Sequence, residues 1–156
     1  MSSSKKLTHD RTQIDRIIRS SQVIRLGLAM ADEPYIVPLA FGYDGDALYF
    51  HTARDGRKLD FLARNPRVCF EFETNVSLLR EDANPCRWSF AFESVIGYGR
   101  ADELIEAAAK EHGLGEVIRH YAGTDRPFPV EGLSEVRVWR VTIDTVTAKR
   151  SHISPA

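Results

Sequence analysis

From Val23 onward the chain repeats with a period of two. Ile24, Leu26, Leu28 and Met30 fall on one face, with Val23, Arg25, Gly27 and Ala29 opposite. That period fits a pleated strand with one buried face and excludes a helix over the same residues. The pattern recurs after a turn at Asp32-Glu33-Pro34, where Tyr35, Val37, Leu39, Phe41 and Tyr43 share a side. Asp44-Gly45-Asp46 supplies hairpin chemistry, and residues 47–52 return as the partner strand. Residues 67–74, 88–100 and 136–149 read as three further strands, the last with Trp139, Val141 and Ile143 inward. Gly97 and Gly99 inside the 88–100 segment predict a bulge or a close backbone approach.

Helical period appears in three places. Residues 10–20 carry Ile14, Ile17 and Ile18 on one face behind a capping Asp10. Residues 57–64 end at Asn65-Pro66, because proline disfavours helical geometry in the residue before it. Residues 101–121 place Leu104, Ile105, Ala108 and His112 together, although Gly113 and Gly115 predict a break or kink. Residues 75–87 read as a loop and residues 123–131 as a proline-containing connection.

Six strands joined mostly by short turns, with about three flanking helices, give a mainly β (α+β) fold and favour an antiparallel barrel. Six strands leave little interior room, so a ligand of any size must bind on an outer face, in a groove or between subunits. A chain of 156 residues fits one domain. Its expected limits are a flexible arm over residues 1–9, one domain over 10–150 and a tail over 151–156. The 21 basic and 22 acidic residues nearly cancel, which argues against nucleic acid or an anionic membrane as partner. Two cysteines cannot make a disulfide framework, and Cys86 reads as an inert buried thiol. The Met-Ser-Ser-Ser-Lys-Lys start lacks a signal-peptide core, and no apolar run is long enough for a bilayer, so a cytoplasmic location is expected.

Eight of the fifteen aromatic residues lie between Tyr35 and Phe72, and the basic run 54–58 lies among them. Arg57 and Lys58 open the second helix, where positive charge is mildly unfavourable. Free N–H groups at that point attract anions, so the pair fits a phosphate site or, alternatively, a solvated basic turn. His51 sits where the preceding strand ends, either as a half-buried strand residue or as a proton or hydrogen-bond donor to a ligand. His112, Glu116 and His120 have helical spacing, but the intervening glycines argue against a metal site, and none is expected.

Five segments occur here in the order of one family: 34–39 (PYIVPL), 48–53 (LYFHTA), 56–59 (GRKL), 65–70 (NPRVCF) and 93–101 (ESVIGYGRA). Together they resemble the pyridoxamine 5′-phosphate oxidase-like flavin proteins, most of all the 5-nitroimidazole-resistance (Nim-type) branch, over residues 23–101. The resemblance implies a split-barrel homodimer with FMN in two grooves between subunits. Arg57 and Lys58 then hold the phosphate, the Val37-Pro38-Leu39 backbone follows the flavin ring, and Phe50, His51 and Thr52 lie beside it. Ser94 reaches the cofactor from the other subunit, and His51 is the candidate catalytic residue. The aromatic strands around residues 35–50 are then expected to be exposed in a single subunit. The implied activity is flavin-dependent reduction of a small acceptor such as a nitro-aromatic compound, with NAD(P)H as a possible donor. A non-catalytic dimer that binds or senses flavin, haem or a deazaflavin is the alternative. Vitamin B6 oxidation ranks last, because residues 146–156 do not obviously match the arginine-containing C-terminal segment of the oxidase proper.

Overall fold

A computed structural model of the chain describes residues 7–127 and 130–152. A two-residue strand β1 (Leu7–Thr8) precedes α1 (Arg11–Ser20), and β2 (Ile24–Met30) and β3 (Glu33–Leu39) form the first hairpin. Next come β4 (Gly42–Tyr43), β5 (Ala47–Thr52), α2 (Arg57–Arg64), β6 (Arg67–Leu79) and β7 (Ser89–Leu104). Helix α3 (Ala107–Ala122) and β8 (Arg137–Ser151) complete the order. All strands join one antiparallel sheet in the order β3-β2-β6-β7-β8-β5-β4, with β1 added on β8. The fold is therefore the expected mainly β class, with eight strands among the described residues rather than six.

The differences have local causes. The 35–43 segment is interrupted at Ala40-Phe41, so its last residues pair with β5 instead of β2. Leu7 and Thr8, read as part of a free arm, pair with Lys149 and Ala148. Residues 1–6 of that arm and 153–156 of the tail lie outside the described residues. Strands β6 and β7 run on into the expected loop through pairs such as Leu78 with Phe90, past a register shift between Thr74 and Ser77. Strand β7 also extends to Leu104, which moves the start of α3 from residue 101 to Ala107. Residues 102–104 pair with β8, and that pairing outweighs their helical period.

Helix α3 is continuous through Gly113 and Gly115. A Cβ on Gly113 would lie 2.9 Å from Val138 Cγ1 and 3.1 Å from Tyr49 Cδ1, so the glycine lets α3 rest against β5 and β8. Close approach also explains Gly97 and Gly99. A Cβ on Gly99 would lie 2.2 Å from the Thr142 carbonyl oxygen, at the point where β7 and β8 shift register.

The core contains Ile17, Ile18, Ile24, Leu26, Phe41, Leu48, Phe50, Phe70, Phe72, Val95 and Val141, none of them solvent-exposed. The aromatic excess between Tyr35 and Phe72 is thus mostly core, not an exposed cofactor face as expected. Phe41, Tyr43, Tyr49 and Phe50 are at most 3% exposed, and only Tyr35 keeps a partly open ring.

One charge is buried with its partners. Glu93 is 1% exposed and accepts hydrogen bonds from Arg16 at 3.1 Å and from Asn75 at 2.6 Å, with Arg150 Nε at 2.9 Å. These contacts join α1, β6, β7 and β8. The Arg16 hydrogen bonds, helped by Asn75 and against the effect of burial, hold the Glu93 carboxyl below its usual range. A depressed carboxyl contributes stability above its unfolded pKa of about 4.3, and that contribution fades as pH falls through the folded value. Glu93→Gln should therefore cost roughly 2 kcal/mol at pH 7, since it leaves cationic partners around a neutral amide. In urea unfolding, the gap between wild type and variant should narrow as pH is lowered from about 5 to 3.

Candidate functional site

The hairpin β4-β5 aims the chain into the basic turn. Asp44 accepts from the Asp46 and Ala47 N–H groups and from the Tyr49 hydroxyl, while Gly45 takes φ of 100°. Strand β5 pairs with β8 along its whole length, but with β4 only at Leu48 and Tyr49. The outer edge of Phe50-His51-Thr52 therefore has no strand partner among the described residues. Strand β3 is likewise paired on one side only, with β2. These two open edges are the split in the barrel.

Beyond β5, the turn 53–56 ends at Gly56, whose φ of 143° suits glycine and which caps α2 without a side-chain hydrogen bond. The Arg57 and Lys58 N–H groups are thus left for another acceptor, while the Leu59 N–H donates to the Gly56 carbonyl at 2.9 Å. Arg54, Arg57 and Arg137 line a groove of about 490 Å³ at this point, together with Asp55 and Asp60. Arg54 donates to the Ser134 carbonyl at 2.7 Å. Arg57 donates to Glu33 Oε1 at 2.8 Å and lies 4.8 Å over the Tyr35 ring. Lys58 is half-buried with no ion-pair partner among the described residues. Arg137 donates to Glu103 at 2.9 and 2.6 Å. An uncapped helix start beside Arg54 and Arg57 suits a phosphate, so the donor set fits a phosphorylated cofactor.

The structure distributes the remaining candidate residues unevenly. Phe50 is buried and stacked with Trp139 at 7° between ring planes, and Thr52 accepts from Trp139 Nε1 at 3.2 Å. Both side chains face the core, so only their backbone edge is open to a ligand. His51 is exposed and points to the opposite face of β5, the side on which Tyr49 meets α3 through His112. Arg137 is opposite Thr52 in register, which places the basic groove and the His51 ring on different faces of the β5-β8 pair. Val37 and Leu39 are half-buried and Pro38 is exposed, on the open edge strand β3.

Ser94 stands apart. It is half-buried on the outward face of β7, opposite Glu73 and in line with exposed Ile96 and Tyr98. Glu33 is opposite Met30, five positions along β2 from Arg25, and Arg25 is opposite Glu71, two positions from Glu73. At the rise of an extended strand, Ser94 is roughly 20 Å along the sheet from the Glu33-Arg57 pair. One chain does not bring Ser94 to its own basic groove.

The His112, Glu116, His120 trio is separated by its partners. His112 Nε2 faces Asp44 at 3.3 Å, Glu116 accepts from Arg119, and His120 Nε2 donates to the Ser21 carbonyl at 2.8 Å. Burial lowers the His120 pKa. Cys86, expected to be buried, is exposed in a 3₁₀ turn, Pro85–Arg87, because the extended β6-β7 arm carries it beyond the core. Glu33, Tyr35 and Arg137 were not legible as site residues. Arg137 lines the groove through cross-strand register, and Glu33 and Tyr35 meet Arg57 through a β3-α2 contact, which no local motif encodes.

The comparisons agree with this architecture. A relative from Rhizobium meliloti (strain 1021), an uncharacterized protein, is 29% identical over 102 residues. Those residues are 65% of this chain and 60% of that protein, so the match spans less than two thirds of the relative. Among solved structures, a candidate 5-nitroimidazole antibiotic resistance protein from Bacteroides thetaiotaomicron VPI-5482 superposes with a TM-score of 0.83 at 28% identity. The match covers 96% of this chain and 89% of that one. The FAD and heme binding protein from Mycobacterium smegmatis has the same fold, with a TM-score of 0.82 at 19% identity, over 97% and 76% of the two chains. A family model described as pyridoxamine 5′-phosphate oxidase matches residues 10–150, and the chain belongs to that family.

Proposed function

We propose that this chain is an FMN-dependent oxidoreductase of Nim type, which reduces a small acceptor such as a nitro-aromatic compound with NAD(P)H as the donor. The observation that carries the reading is the uncapped, cation-ringed start of α2 in a chain of this family. Arg57 and Lys58 bind the phosphate through charge-assisted hydrogen bonds. The open edge of β3 at Val37-Pro38-Leu39 carries the flavin ring, four to six positions from Glu33. The bound flavin supplies the electron transfer, and the protein supplies orientation and electrostatics. His51, exposed at the end of β5, orients the acceptor or delivers its proton.

The functional unit in this reading is a homodimer. Ile36, Ile96 and Tyr98 are 65%, 45% and 49% exposed on the outer face of the sheet. Ile36, Gly27, Cys69 and Tyr98 are aligned in register across four strands and line an apolar groove of about 590 Å³. A second copy covers this face, and Ser94 of the partner subunit then completes each groove. The position of His51 on the face away from the basic groove favours a second reading, in which the dimer binds flavin without turnover.

FMN titration of the purified protein tests the binding step. It should give a yellow protein with one flavin per chain, and a preparation that gains no flavin absorbance rejects both readings. Replacing Arg57 and Lys58 together with Ala removes contacts worth roughly 1.5–3 kcal/mol each, so FMN affinity should fall at least about tenfold. Unchanged affinity would place the phosphate elsewhere. Steady-state reduction of a nitroimidazole with NADH or NADPH separates the two readings. His51→Ala should keep the bound-flavin spectrum and lower turnover about 10²-fold or more if His51 moves the proton.

A further inference from the structure

The carboxylate that meets Arg57 occupies the place that the proposed function gives to phosphate. Glu33 Oε1 is 2.8 Å from Arg57 Nη2, and both side chains are 59% exposed. The guanidinium is 4.8 Å over Tyr35 and 5.6 Å over Phe61, whose rings are 5.1 Å apart. The rings thus support the flat face of Arg57, while Glu33 takes up part of its donor edge. Glu33 is the first residue of β3, beside the β2-β3 turn. Asp55 and Asp60 line the same groove, yet neither makes an ion pair with Arg57 among the described residues.

We infer that Glu33 is a built-in competitor for the phosphate site, which a phosphorylated ligand displaces from Arg57 and a ligand without phosphate leaves in place. The inference rests on the proposed flavin reading and names what selects the ligand at that site. A phosphate monoester carries close to two negative charges at neutral pH and three acceptor oxygens. It therefore gains by replacing a single carboxylate on a guanidinium that stands at the start of α2, in a groove that Arg54 also lines. A ligand carboxylate would only exchange like for like, so Glu33 biases the groove toward phosphate esters. The pair is solvent-exposed, which keeps the competition weak and reversible.

The experiment is a titration of FMN and of riboflavin, followed by flavin fluorescence, into the wild-type chain and Glu33→Gln. The substitution is isosteric and on the surface, so the fold is retained. Glu33→Gln should bind FMN about two- to five-fold more tightly, the range of an exposed ion pair, and riboflavin with unchanged affinity. Equal or weaker FMN binding by the variant would overturn the inference, because Glu33 would then orient Arg57 instead of competing for it. An equal gain for riboflavin would overturn it as well, since the effect would not depend on phosphate. Wild-type chain that binds FMN while the variant gains nothing leaves the flavin reading standing. Failure of both proteins to bind either flavin removes the flavin reading and this inference together.

Discussion

Strand β7 is paired along its length, by β6 on one side and β8 on the other, and the other elements hang on that three-stranded ribbon. The ribbon works only because two of its positions have no side chain. At Gly97 a Cβ would meet the Phe70 ring at 2.3 Å, and at Gly99 the Thr142 carbonyl at 2.2 Å. Removing the side chains lets Phe70 fill the core under β7, and it permits the register shift that bends β7 and β8 together. The bend curls the sheet toward a barrel, and the buried Glu93 cluster ties α1 across it.

Curling such a sheet without closing it leaves β3 and the far edge of β5 facing open space. Unpaired strand edges carry free N–H and C=O groups, which proteins usually cover or blunt. Here the edges flank the start of α2, which lacks a side-chain cap and has Arg54, Arg57 and Arg137 beside it. Stability and site construction therefore draw on the same geometry. The twist that buries Phe50 and Trp139 also leaves the backbone of residues 50–52 and 37–39 available to a ligand.

Patterns of short range in the chain were legible in the sequence. The period of two located β2, the Asp44-Gly45-Asp46 turn located β5, the Asn65-Pro66 stop placed the end of α2, and Gly97 and Gly99 marked a true close approach. The five family segments pointed to the right fold. What failed depended on partners distant in sequence. Residues 102–104 have a helical period but are held by β8, and Gly113 is tolerated because α3 presses on Val138 and Tyr49. The aromatic excess misled for a related reason, since composition says nothing of which way a ring points. Phe41, Phe50, Phe70 and Phe72 point inward, and only Tyr35 of that excess keeps a partly open ring, under Arg57.

The spacing of the candidate residues carries the argument for two chains further than surface apolarity does. Exposed Ile36, Ile96 and Tyr98 show a face that resembles an interface, but such a face names no occupant. The sheet register is more demanding. Glu33, Arg57, Arg54 and the end of β5 gather at one end of the barrel, while Ser94 is roughly 20 Å away along β7 and turned outward. A single rigid sheet cannot close that gap without breaking the pairing on which its core depends. In the proposed dimer, a second copy packed against the outer face would place its own β7 there at no such cost. In that proposal the apolar row would have a function in addition to burial: it would set the offset at which one chain's Ser94 reaches the other chain's open edge.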